Sequence, residues 1–81
     1  MQFFVYILQC SDATYYIGST NNIVRRLKEH NTSQKGAHYT KLRRPVFIVY
    51  SEKHATLLEA RRRELEIKRW ERKRKETLWL A

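Results

Sequence analysis

Two tyrosines are the first candidates for chemistry: Tyr6 in Val5-Tyr6-Ile7-Leu8, and Tyr16 in Tyr15-Tyr16-Ile17-Gly18-Ser19-Thr20. Each lies in a short apolar run that favours β-structure, and Ser11-Asp12-Ala13 between them reads as a turn. A hairpin folded there would bring the two phenols to nearly the same level. A one-residue change of register would send them to opposite faces. Glu64 is the third candidate. On a helical wheel it falls with Leu57, Ala60 and Ile67 inside the apolar arc, where a carboxylate is desolvated unless paired or bound to a cation. The wheel leaves a salt bridge to Arg26 and a metal ligand equally open, whereas Glu66 and Glu71 read as surface partners of neighbouring arginines. Arg26 and His30 are four residues apart and project from one helix face. An arginine fork recognises a phosphate with two parallel donors, and a histidine can donate to one or carry a proton. Position alone also allows Arg26 to be an exposed helix charge and His30 a half-buried polar residue.

The charge distribution supports a polyanionic ligand. Seventeen Lys and Arg against eight Asp and Glu give a net charge of +9. Residues 1–24 contain no Lys or Arg, whereas Arg61 to Lys75 holds nine with three glutamates. Nucleic acid, DNA first, is the expected partner. The cations expected to hold its backbone are Lys35, Lys41, Arg43, Arg44, Arg61, Arg62, Lys68 and Arg69. A membrane surface fits less well, because acids interrupt the basic segment and no clean apolar half accompanies it. No run approaches the roughly 20 apolar residues that span a bilayer. Met1-Gln2-Phe3-Phe4 lacks the basic start of a signal peptide. One cysteine, Cys10, leaves no disulfide partner and reads as a packing residue at a strand end. A cytoplasmic monomer or weak homodimer is the resulting expectation.

These side chains need elements to position them. Eighty-one residues read as one small domain over 1–81. Phe3 to Gln9 and Thr14 to Ser19 read as paired strands. Asn21 or Asn22 then caps a helix from Ile23 to His30, and Asn31 to Leu42 reads as a loop. Pro45 opens a third strand, Val46 to Tyr50, and a long helix follows from about Ala55 to Lys75. Leu78-Trp79-Leu80-Ala81 is left either to dock or to fray. The order β-β-α-β-α implies an α+β fold, a mainly antiparallel three-stranded sheet flanked by helices.

Val5-Tyr6-Ile7, Tyr16-Ile17-Gly18, Asn22, Arg26 and Glu64, in this order, resemble the GIY-YIG nuclease superfamily, and in particular its small stand-alone bacterial members. The resemblance spans nearly the whole chain, including Gly18-Ser19-Thr20-Asn21-Asn22, Arg43-Arg44-Pro45-Val46 and Arg62-Arg63-Glu64-Leu65-Glu66-Ile67-Lys68-Arg69-Trp70. It implies a metal-dependent endonuclease. Tyr6 and Tyr16 take the places of the two motif tyrosines, Arg26 that of the arginine at the scissile phosphate, and Glu64 that of the carboxylate holding one Mg²⁺ or Mn²⁺. His30 stands where related enzymes carry histidine or tyrosine near the phosphate. Two departures are visible: the first motif lacks its glycine at Phe4-Val5-Tyr6, and Ser19 stands where the excinuclease members of the superfamily have a lysine.

The resulting expectation is phosphodiester hydrolysis with weak sequence preference in DNA repair, recombination or processing, with RNA a further possible substrate. Tyr6 would serve as base, Tyr16 would orient water or phosphate, and these two roles are exchangeable. A phenol with a pKa near 10 is a poor base at neutral pH, so adjacent cations must lower it. Two alternatives remain: a nucleic-acid-binding module with this fold and little catalysis, and a small basic protein bound to ribosomes or to an acidic partner. The second accounts for the charge but not for Tyr6, Tyr16, Arg26 and Glu64 together.

Overall fold

The computed structural model describes residues 2–80. Seven elements follow one another: β1 (Phe3–Gln9), β2 (Tyr15–Thr20), α1 (Ile23–Thr32), α2 (His38–Lys41), β3 (Phe47–His54), α3 (Leu57–Lys68) and α4 (Arg72–Glu76). The fold is α+β, as expected. The sheet is antiparallel throughout, in the order β2-β1-β3. Central placement explains why β1 is apolar on both faces: Val5, Tyr6, Ile7 and Leu8 are all buried. Val5 and Ile7 pack with Ile17, Ala60 and Ile67 under α3. Tyr6 and Leu8 face the other way, with Val46, Cys10, Leu27 and Tyr39.

The hairpin turn is fixed locally. Asp12 Oδ1 accepts from the backbone N–H and the hydroxyl of Thr14, and Ala13 takes a left-handed φ of 67°. Asn22 caps α1, its side chain accepting from Arg25 N–H at 3.0 Å. Thr56 does the same for α3 through Glu59 N–H at 3.1 Å.

Several boundaries differ from the sequence reading. The long helix expected over 55–75 is two helices, because the chain turns at Arg69–Glu71 as Trp70 packs against the core. Lys75 Nζ then donates to the Trp70 carbonyl at 2.7 Å. Leu57, expected to face inward, is 42% exposed. β3 runs on to His54, since Glu52 and His54 keep strand alternation with polar side chains: Tyr50, His54 and Arg63 all bond to the Glu52 carboxylate. The expected loop contains α2. The segment after α4 docks, with Trp79 edge-on to Tyr15 at 5.1 Å between centroids; Ala81 lies outside the described residues.

Candidate active site

Strand register decides where the phenols go. Tyr6 lies opposite Gly18, and Tyr16 opposite Leu8. The two tyrosines therefore share a face but sit diagonally rather than level, with ring centroids 6.5 Å apart. Gly18 makes this possible, since a Cβ there would fall 2.6 Å from Tyr6 Cζ. The glycine's role is thus to let the Tyr6 phenol cross β2, which is an edge strand.

Behind Tyr6 stands His30, fully buried on α1. Its Nε2 is 2.8 Å from the Tyr6 hydroxyl and its Nδ1 is 2.7 Å from Thr40 Oγ1. The Thr40 hydroxyl donates its one proton to the Ala37 carbonyl at 2.9 Å. Thr40 must therefore accept from His30 Nδ1–H, which leaves Nε2 bare to accept from Tyr6. Burial, then the nearby Arg26 charge, lowers the His30 pKa to about 4, so the ring is neutral at pH 7. Tyr6 moves the opposite way from expectation: burial raises its pKa to about 12, opposed by a hydrogen bond and the charge of Arg26. His30 is thus fully buried rather than half-buried, and it does not line the recess but reaches it through Tyr6.

Arg26 belongs to this site but not to the salt bridge with Glu64 that the wheel allowed. Its guanidinium donates to Glu29 Oε1 at 3.2 Å and to the Lys35 carbonyl at 2.8 Å, which hold it along α1. Glu64 comes from the other side of the sheet, where the inward stripe of α3 with Ala60 and Ile67 points it at β2. Ser19 Oγ donates to Glu64 Oε1 at 2.7 Å, and Lys68 Nζ lies 2.7 Å from Oε2. Ser19 therefore orients the carboxylate. Neither its partner nor Thr40 could be read from the sequence, because both contacts join residues distant along the chain.

These groups meet in one recess of about 320 Å³ across the outer edge of β2. Tyr6, Tyr16 and Arg26 line it from one face and Ser19 and Glu64 from the other, with Arg61 and Leu65 on its rim. Glu64 is the one carboxylate of this lining, and among the described residues no three His, Cys, Asp or Glu side chains form a ligand cluster. The ammonium already on Oε2 shows that this oxygen accepts a cation. One carboxylate beside a phosphate-sized space suits Mg²⁺ or Mn²⁺, which keep several waters and use one or two carboxylates plus phosphate oxygens.

The remaining cations divide. Arg44 donates to the carbonyls of His30, Glu29 and Ser33 (the first two at 2.5 and 3.2 Å, the last at 2.6 Å) and holds the end of α1. Arg43 pairs with Asp12 at 3.0 Å and lies 3.8 Å over the Tyr39 ring. Both thus have internal partners. Lys35 is exposed and Lys41, the last residue of α2, is half-buried, while Arg61 and Arg62 stand exposed on α3 and Arg69 is exposed just beyond its end.

The model of the GIY-YIG catalytic domain matches residues 2–77. The chain belongs to the GIY-YIG family. A UPF0213 protein of Desulfotalea psychrophila is 55% identical over 75 residues, covering 93% of this chain and 68% of that protein. A UPF0213 protein of Staphylococcus aureus is 49% identical over 72 residues, covering 89% and 87%. The solution structure of a UPF0213 protein from Bacillus halodurans is similar, with a TM-score of 0.60 and 42% identity over 96% of this chain and 82% of that one. That of an E. faecalis protein gives 0.66 and 42%, over 95% and 81%. The small branch of the family expected from the motifs is therefore the one to which this chain is similar. Among the described residues no helix is long and apolar enough to cross a membrane.

Proposed function

We propose that this protein is a metal-dependent endonuclease that hydrolyses phosphodiester bonds in DNA with little sequence preference. The observation that carries this reading is that Tyr6, Tyr16, Arg26 and Glu64, scattered over 59 positions of sequence, line one recess. Glu64 would hold one Mg²⁺ or Mn²⁺, which supplies charge stabilisation at the leaving oxygen. Arg26 stabilises charge building on the non-bridging oxygens of the phosphate.

The proton route follows from the hydrogen-bond order. A phenol with a pKa of about 12 does not ionise first and then act as base. Instead Tyr6 takes a proton from the attacking water while passing its own to His30 Nε2, so no buried phenolate forms. The phosphate brings negative charge toward this cluster, which favours the protonated ring and raises the His30 pKa from its low resting value. Thr40 keeps the tautomer that leaves Nε2 free. Tyr16, whose ring is 5.1 Å from that of His30, orients water or phosphate.

The alternative, a binding module with little catalysis, draws support from Lys68 on Glu64: that ion pair leaves the carboxylate satisfied without a metal. Nicking of supercoiled DNA in Mg²⁺ or Mn²⁺, by wild type and Glu64→Ala purified side by side, separates the two. The endonuclease reading expects the variant to lose about 10²–10³-fold, as for loss of one transition-state contact. Equal nicking by both proteins overturns it. No nicking by either, with binding intact, favours the module.

A further inference from the structure

A second recess, of about 290 Å³, continues along the outer edge of β2 from the first. It is lined by Tyr15, Tyr16, Ile17 and Tyr39 together with Lys68 and Lys75, and no carboxylate contributes to it. Tyr16 is a wall of both recesses. The pairing of two lysines with aromatic walls is the pattern of sites that take a base by stacking and its backbone by charge. The volume is at the small end of ligand sites, which start at roughly 300 Å³, so it suits one flat ring system and not a folded chain.

Its position relative to the phosphate site decides what kind of ring. Tyr16 and Gly18 are two residues apart on β2, roughly 7 Å at strand rise, so the next nucleotide along an extended strand reaches it. Lys68 joins the two sites: it lines the second recess, and its ammonium lies 2.7 Å from Glu64 Oε2. Tyr39 is held in place by the Arg43 guanidinium, 3.8 Å over its ring. Its ring is also roughly parallel to that of Tyr16, with centroids 6.2 Å apart.

We propose that this recess, lined by Tyr15, Tyr16, Tyr39, Lys68 and Lys75, binds the unpaired base and backbone of the nucleotide adjoining the scissile phosphate, the lysines keeping further ammonium donors beyond those that hold Glu64 and the Trp70 carbonyl. Bases stacked inside a duplex cannot enter it, so the substrate class is nucleic acid that is single-stranded on one side of the cut. The inference rests on the endonuclease reading for the meaning of the first recess, but its test does not require cleavage.

The test measures fluorescence anisotropy in EDTA with short labelled strands: single-stranded DNA, single-stranded RNA, blunt duplex DNA, and an abasic sugar-phosphate strand of equal length. A base in the recess predicts that base-bearing single strands bind at least about fivefold more tightly than the abasic strand, the low end for stacking on one aromatic residue. Tyr39→Ala should erase that difference, and Tyr39→Phe should keep it. Lys75→Met should weaken base-bearing and abasic strands alike. A difference between the DNA and RNA strands identifies which sugar the site prefers, and either result fits. The proposal is overturned if the abasic strand or the duplex binds as tightly as the single strand, or if folded Tyr39→Ala retains the preference. Should base-dependent binding appear while nicking proves independent of Glu64, the recess stands and the endonuclease reading falls; the converse result removes the recess alone.

Discussion

At the scale of single residues, the site depends on one missing side chain and one neutral ring. A methyl group on Gly18 would stand 2.6 Å from Tyr6 Cζ, and the phenol ring is buried with no slack. Gly18→Ala should therefore lower stability by about 1–3 kcal/mol, the usual cost of overpacking. The same change should cut cleavage further by moving the Tyr6 hydroxyl off His30. Urea denaturation and a nicking rate on the same preparation check both. His30 gives a pH signature. Its pKa falls from 6.5 unfolded to about 4 folded, so the unfolded chain binds the extra proton between those values. Stability should be flat above about pH 6.5, fall as the pH drops toward 4, and lose on the order of 3 kcal/mol from this group. The comparison with His30→Gln isolates it from Asp12 and Glu52, whose depressed pKa values act in the same acid direction. An unchanged acid profile in that variant would contradict the assignment of a neutral, buried ring.

At the scale of elements, the end of α1 carries His30 and is held from outside the helix. Arg44 binds three carbonyls there, and Asn31 bonds both Val46 N–H and its carbonyl, at 2.7 and 3.0 Å. Arg44→Ala should cost about 1.5–3 kcal/mol, the scale of hydrogen bonds from a charged group, measured by thermal or urea unfolding. A substitution at exposed Arg69 should leave stability unchanged within about 0.5 kcal/mol. The strands and α1 were legible because their signals are local: apolar runs, the Asp12 turn and the Asn22 cap. The break after Lys68 was not, since Arg69-Trp70-Glu71 contains neither glycine nor proline, and Trp70 leaves the helix to meet the core. Half of β3 was hidden for a similar reason. Glu52 and His54 look like loop residues until Arg63 of α3 pairs with Glu52 across the layer and His54 bonds to the same carboxylate. The site itself was legible in Tyr6, Tyr16, Arg26 and Glu64, but the diagonal placement of the phenols and the Thr40–His30–Tyr6 chain are products of register and packing.

At the scale of the whole molecule, two helical layers bring opposite contributions to one sheet edge. α1 delivers Arg26 and, through His30, the Tyr6 hydroxyl; α3 delivers Glu64 around β2, with Arg61 and Lys68 beside it. The positive charge is divided between structure and surface, since Arg43, Arg44, Arg63 and Arg72 have internal partners. The central claim is that Arg26 and Glu64 act as a unit on one phosphate. Single-turnover cleavage of a labelled strand in Mn²⁺ by wild type, Arg26→Ala, Glu64→Ala and the double variant tests it directly. Each single change should cost about 10²–10³-fold, and the double variant should be little slower than the worse single, because groups that act together lose their effect together. Losses that simply multiply, or a Glu64→Ala protein that cuts at the wild-type rate, would contradict it.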